Sequence, residues 1–145
     1  MDVTKAKDGA ISSSLQTIMA GLRRHAWEGA GRESITPTQG EVLVLLAGGV
    51  SGNRVSDIAR EMQLTVATVS CAISTLEAKG LLVKRRGVGD ARSKSLALTA
   101  AGRRAAKRAA KWPSFIEEAL RKMSTRERAQ FSLSLTKLAA SVSAE

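Results

Sequence analysis

Apolar residues recur at helical spacing near the start of the chain. Ile11, Leu15, Ile18, Met19, Leu22 and Ala26 form one stripe, which predicts a helix over residues 11–28, ended by Gly29 and Gly31. Thr36-Pro37-Thr38-Gln39 has the spacing of a capping box with proline at the first helical position. A second helix then runs through Val42, Leu43, Leu45 and Leu46, and Gly48-Gly49 and Ser51-Gly52-Asn53 form a loop. Ser56 is placed to cap a short helix from Asp57 to Met62, with Ile58, Ala59 and Met62 inward. After the turn Gln63-Leu64-Thr65, Thr65 is placed to cap a helix from Val66 to Lys79, which Gly80 ends. Val69, Ile73 and Leu76 are its inward stripe. Two short helices joined by so tight a turn make a helix-turn-helix.

Beyond Gly80 the period changes from helical to alternating. Residues 81–86 and 94–99 read as strands about the turn Gly87-Val88-Gly89-Asp90, and a hairpin in this position is a wing. Thr99 starts a long helix, roughly Ala100 to Met123, with a kink or break at Pro113. Ser124 and Glu127 form a further capping box, and the last helix carries Ala129, Leu133, Leu135, Leu138 and Val142. The fold class is therefore mainly α with a small β-hairpin. Residues 35–99 of the single chain, 1–145, form a winged helix-turn-helix, and 11–30 and 100–145 form helical regions. Both regions would expose apolar faces in a monomer, and burial against a second copy predicts a homodimer whose interface they form.

Charge turns this architecture toward a partner. The formal net charge is +10, and thirteen bases against four acids lie between Arg54 and Lys111. A solubility charge would be spread more evenly, whereas a cluster of this kind points to a polyanion. On the helix from Val66, inward use of Val69, Ile73 and Leu76 leaves Thr65, Ala67, Thr68, Ser70, Cys71 and Thr75 for the opposite face. They are small and mostly polar, so they permit close approach to a major groove, with hydroxyls for phosphates or base edges. Thr65 and Thr68 have the alternative roles of cap and solvated surface. The wing offers Arg85, Arg86, Arg92 and Lys94. Arg92 is the candidate for the minor groove, where negative potential concentrates, and Asp90 is placed to hold it.

The run VSDIAREMQLTVATVSCAISTLEAKGLLVKRRGVGDARSKSLALTAAG, from Val55 to Gly102, resembles the helix-turn-helix, wing and following helix of the MarR (multiple antibiotic resistance regulator) family. Thr68-Val69-Ser70, the LEAKGLLVKRR from Leu76, Asp90-x-Arg92 and Leu98-Thr99 with Gly102 carry the likeness, and ITPTQGEVLVLLA from Ile35 resembles the family's second helix. The resemblance implies a two-fold dimer joined through both chain ends, with a recognition helix in the major groove and a wing arginine in the minor groove. It also implies a transcription factor, usually a repressor, often released by a small phenolic or lipophilic ligand or by oxidation. The family often has arginine or glutamine where Val66 and Cys71 stand here. The absence of both predicts reliance on phosphate contacts, thymine methyl groups and DNA shape, with modest base discrimination.

Further readings follow from single residues. A pocket for a small aromatic or lipophilic effector is placed among Arg24, His25, Trp27, Trp112 and Phe115, with dimer packing as the alternative role of His25, Trp27 and Trp112. Gly40 stands where the family often has a larger side chain, which would enlarge or abolish that pocket. Cys71 is either a small residue that fits the groove or a redox sensor. One histidine and one cysteine argue against a dedicated zinc site, and no disulfide can form within the chain, which suits a reducing cytoplasm. No signal-peptide or membrane-spanning pattern is expected, no cofactor is called for, and no Gly-rich phosphate loop or catalytic constellation marks an enzyme. The expectation is a DNA-binding transcriptional regulator that represses from a palindromic operator. The competing readings are a non-specific architectural DNA-binding protein with the same fold, a redox regulator acting through Cys71, and a partner-binding regulator without DNA function.

Overall fold

The computed structural model describes residues 3–49, 52–87 and 90–144, and only the backbone of residues 49, 87 and 90–93. In chain order it contains α1 (Val3–Glu33), α2 (Pro37–Val44), a π-helical turn (Leu45–Gly49), α3 (Val55–Met62) and α4 (Val66–Ala78). The hairpin β1 (Leu82–Gly87) and β2 (Asp90–Leu98) follows, then α5 (Ala100–Ala109), α6 (Ser114–Leu120) and α7 (Thr125–Ser143). The chain divides into two compact units, Met1–Trp112 and Pro113–Glu145.

Three helices of the first unit end in one backbone motif, and this motif sets the boundaries. A residue in the left-handed region lets its own N–H and the next one reach back to carbonyls of the last turn. Ser34 does this for α1 at φ 56°, Gln63 for α3 at φ 54° and Gly80 for α4 at φ 72°. The longer bonds run from Ile35 N–H to Ala30 O at 3.1 Å, Leu64 N–H to Ala59 O at 3.0 Å, and Leu81 N–H to Leu76 O at 2.9 Å. Helix α1 therefore does not stop at Gly29 as the glycine pattern predicts. It runs on to Glu33, where Ala30 and Ile35, both buried, supply the apolar contact that accompanies the motif.

The other starts follow side-chain caps. Thr36 and Gln39 form the predicted capping box of α2, with bonds of 3.2 and 3.0 Å. Helix α3 begins after Arg54, not at Ser56. The Asp57 carboxylate accepts the Arg54 N–H at 3.0 Å, so an acid inside the first turn satisfies the donor that a capping serine was expected to serve.

Val42 and Leu43 of α2, Ile58 of α3, Val69, Ile73 and Leu76 of α4 and Leu82 of β1 are fully buried and form the core. The strands pair antiparallel with Leu82 opposite Leu98, Lys84 opposite Leu96 and Arg86 opposite Lys94. Strand β2 begins four residues earlier than its alternation suggests, at Asp90. Its Leu96 N–H donates to Asn53 O at 2.7 Å, which fastens the base of the hairpin to the loop before α3. Helix α5 lays Gly102, Ala105, Ala106 and Ala109 inward and packs on α2. Its start is locked to the end of α4: the Thr99 hydroxyl donates to Gly80 O at 2.7 Å and accepts the Gly102 N–H at 3.0 Å. Gly102 lies so close to the Leu81 carbonyl that a Cβ there would collide with backbone.

Helix α5 ends at Ala109, not near Met123. Lys111 and Trp112 N–H close tighter turns onto Arg108 and Ala109 carbonyls, and Pro113, which lacks an N–H, follows. In the second unit, Ser124 and Glu127 form the predicted capping box at the start of α7. The bond from the Ser124 N–H holds the Glu127 carboxyl below its ordinary range. Neither α6 nor α7 has a buried residue, and Leu133 is 75% exposed. Helix α1 likewise leaves Ile11, Met19 and Trp27 more than half exposed. Among the described residues no helix is long and apolar enough to cross a membrane.

Candidate nucleic-acid interface

Helix α4 buries Val69, Ala72, Ile73 and Leu76. Helical geometry then puts Ala67, Cys71, Ser74 and Ala78 opposite that stripe, and all four are exposed. Ser74 belongs to the centre of this face. It is missing from the set expected from sequence, although the same 3.6-residue period that selects Ala67 and Cys71 also selects it. Thr68 is exposed on one flank, and Ser70 and Thr75 are half-buried on the flanks.

The hydroxyls are less available than the sequence suggests. Thr65 Oγ1 accepts the Thr68 N–H at 3.2 Å and lies 2.8 Å from Thr68 Oγ1, so the two threonines cap the helix together. The Thr75 hydroxyl donates to Cys71 O at 3.2 Å, back onto its own helix. The outward face is thus small, and much of its hydrogen-bonding capacity is spent locally. It suits close approach of a groove more than bidentate base reading.

The hairpin supplies the charge. Alternation places Lys84, Arg86 and Lys94 on the side of Leu82 and Leu96, which is the side of α4, and Arg85 on the other side with Ser95. Lys84 Nζ stands 4.0 Å from a Glu77 carboxylate oxygen, a contact that ties the hairpin to α4. At the far end of α4, Lys79 Nζ donates to Ser34 O at 2.7 Å. Arg86 and Lys94 are exposed as a cross-strand pair. The side chains of Asp90 and Arg92 lie outside the described residues, so the expected ion pair and groove insertion are not part of this geometry.

A helix-turn-helix, a two-stranded wing and a helix fastened to the recognition helix by a threonine and a glycine thus occur in one order. Residues 35–94 match the sequence model of the MarR family. Over that segment the chain is similar to the MarR family of winged-helix transcription regulators. Among solved MarR-like structures, the Staphylococcus aureus MepR–DNA complex is 28% identical, with a TM-score of 0.77, 90% of this chain covered and 96% of that one. A second crystal structure of MepR, a transcription regulator of the S. aureus multidrug efflux pump MepA, is similar at 28% identity and TM-score 0.68, covering 90% and 97%. YusO from Bacillus subtilis shares the fold at 24% identity and TM-score 0.69, covering 97% and 99%. No curated protein sequence matches the chain significantly.

Four of the residues grouped as an effector pocket, Arg24, His25, Trp27 and Trp112, lie in the first unit. Arg24 and Trp27 are exposed on α1, and His25 is half-buried beside them. Trp112 instead lies in a slot between α1 and α2. A Cβ at Gly29 would strike the pyrrole side of its indole, and one at Gly40 would strike the benzene end. The two glycines are small because the ring needs their space, and the room left by Gly40 is filled by the chain's own indole. Phe115 belongs to the second unit. Helices α1 and α5 are also joined near this slot by Arg108, whose Nε and Nη2 both donate to the Glu33 carboxylate, the latter at 2.9 Å. That hydrogen-bonded pair pulls the Glu33 carboxyl below its ordinary range.

Proposed function

We propose that this chain is a dimeric, DNA-binding repressor that holds an imperfectly palindromic operator. The observation that carries the reading is the pairing of a small-residue face on α4 with a cationic hairpin fixed beside it. Helix α4 enters the major groove with Ala67, Cys71 and Ser74 foremost, and with Thr65, Thr68, Ser70 and Thr75 around them. Arg86, Lys94 and Arg92 meet the backbone and minor groove, Asp90 orients Arg92, and Arg85 adds charge from the hairpin's other side. MepR has been solved bound to DNA with this fold, which supports the same use here.

The apolar faces of α1 and α7 support a homodimer, since burial against a second copy removes Ile11, Met19, Leu133 and Val142 from water. Two-fold symmetry would set the recognition helices about one DNA turn apart, at roughly 34–36 Å. Footprinting on the chain's own upstream region tests the reading. Protection of two half-sites, lost with Arg92→Ala, is expected. A monomer at micromolar concentration, or unchanged protection by the variant, contradicts it.

The uncharged outward face of α4 also favours a second reading, a non-specific architectural protein bound mainly through phosphates. Equal affinity for upstream and random DNA at physiological salt would select it over the repressor. Cys71 is exposed on the same face. Its bulk suits groove fit. A Cys71→Ser variant that still loses DNA on peroxide treatment would remove it from any redox role.

A further inference from the structure

Helix α5 and the turn after it carry a second concentration of charge. Between Thr99 and Pro113 stand five bases, Arg103, Arg104, Lys107, Arg108 and Lys111, and no acid. The four on the helix fall within an arc of about 140°, opposite the buried Gly102, Ala105, Ala106 and Ala109. All five bases are exposed. Among the described residues, only Arg108 of the five has an acidic partner, Glu33. Arg103 and Lys107, and likewise Arg104 and Arg108, are like charges one turn apart, which weakens a helix. A polyanion laid along this face turns that repulsion into attraction.

The face is continuous with the hairpin. The strand register places Arg85 opposite to Leu82 and Lys84, and Arg85 borders one depression together with Arg103 and Lys107, over Leu46 and Ala47. Arg103 is fixed at this junction, since its Nη1 donates to Leu98 O at 3.2 Å. Cations thus run from Arg86 and Lys94 through Arg85 to Arg103, Lys107 and Lys111. From Arg103 to Lys111 the chain rises about 12 Å, the reach of roughly three successive phosphates along one DNA strand. The apolar side of α5 is small and packed on α2, so the helix has nothing to insert into a bilayer.

We infer that this α5 face binds the phosphate backbone of duplex DNA flanking the operator. Each lobe then holds a palindrome half-site with α4 and the hairpin, and the duplex outside it with Arg104, Lys107 and Lys111. The inference rests on the DNA-binding reading above and adds a second surface to it. Phosphate contacts are blind to sequence, so the face adds affinity without changing which half-site is read. Flanking duplex that curves toward the lobe costs elastic energy, which the added contacts offset.

The test uses the full chain and two duplexes centred on the same palindrome of its upstream DNA. One has about 20 base pairs, enough for two half-sites a turn apart, and the other about 40, with one further turn of arbitrary sequence on each side. Gel-shift titrations over a salt series give affinity and slope. The wild type is expected to bind the longer duplex at least about tenfold more tightly, with a slope steeper by at least about 2. Arg104→Gln/Lys107→Gln/Lys111→Gln keeps the Arg103 bond and introduces good helix formers. It should bind the short duplex within about twofold of the wild type and gain less than about threefold from the added length. Lys5→Gln/Lys7→Gln/Lys122→Gln removes the same charge elsewhere and should keep the full gain. Equal wild-type affinity for the two lengths, or a full gain in the α5 variant, overturns the inference while operator binding stands. Equal loss of the gain in both triple variants assigns it to net charge and overturns the inference too. An α5 variant at least about tenfold weaker on the short duplex places the face on the operator itself, and so contradicts the flanking site. Polyglutamate that binds the wild type and not the α5 variant, with no gain from DNA length, would assign the face to an acidic protein instead. Binding to neither duplex overturns the DNA reading and this inference together.

Discussion

Helix α4 presents thirteen residues without one basic side chain, whereas the hairpin beside it carries Lys84, Arg85, Arg86, Arg92 and Lys94. The two elements are fastened to each other through Glu77 and Lys84, yet they bring different physics to a duplex. Small side chains at Ala67, Cys71 and Ser74 decide how closely a groove wall approaches. Cations decide how many counterions leave. One lobe can therefore separate fit from attraction, with the fit on the helix and most of the attraction on the wing. The two contributions should respond differently to salt, because only the second depends on counterion release.

The largest expected effect comes from removing the attraction. Arg86→Gln/Arg92→Gln/Lys94→Gln should weaken operator binding by at least about 10²–10³ at moderate salt and lower the salt slope of the dimer by up to about 5, since both wings lose their cations. Gel-shift titrations over a salt series check both. Next comes the fit. Ser74→Trp puts a large ring at the centre of the α4 face and should cost about tenfold or more in affinity without changing the slope. If Ser74→Trp changes the slope as much as the wing variant does, the division of labour fails.

Two smaller effects lie outside both surfaces and sharpen the comparison as controls. Gly40→Ala forces a methyl group against the Trp112 indole and should destabilise the fold by about 1–3 kcal/mol in urea unfolding, with the salt slope unchanged. Glu33→Gln removes the carboxylate that Arg108 holds. The Glu33 pKa is lower in the folded chain than in the unfolded one. Its contribution is therefore complete above the unfolded pKa and is lost as pH falls through the folded one. Thermal unfolding of the wild type should show this loss on the acid side, and Glu33→Gln should lack that component at every pH.

Much of this was legible in the sequence because it depends on local periodicity and on short-range capping. The Thr36–Gln39 and Ser124–Glu127 boxes, the stripe on α4 and the Gly80 stop all lie within a few residues of what they organise. The helix ends at Ser34 and Gln63 use the same left-handed motif as Gly80, but with side chains that carry no glycine signal. The sequence pattern therefore ended α1 early at Gly29. That glycine serves another purpose, since Gly29 and Gly40 make room for Trp112, some seventy residues away in sequence. Three segments had to be placed together before the slot that Trp112 fills could be seen.

The most direct test is the salt dependence of binding to the upstream DNA, measured side by side for the wild type, the Arg86/Arg92/Lys94 variant and Ser74→Trp. The account predicts a shallower line for the wing variant, and for Ser74→Trp a line parallel to the wild type at lower affinity. A wing variant whose line keeps the wild-type slope would contradict it.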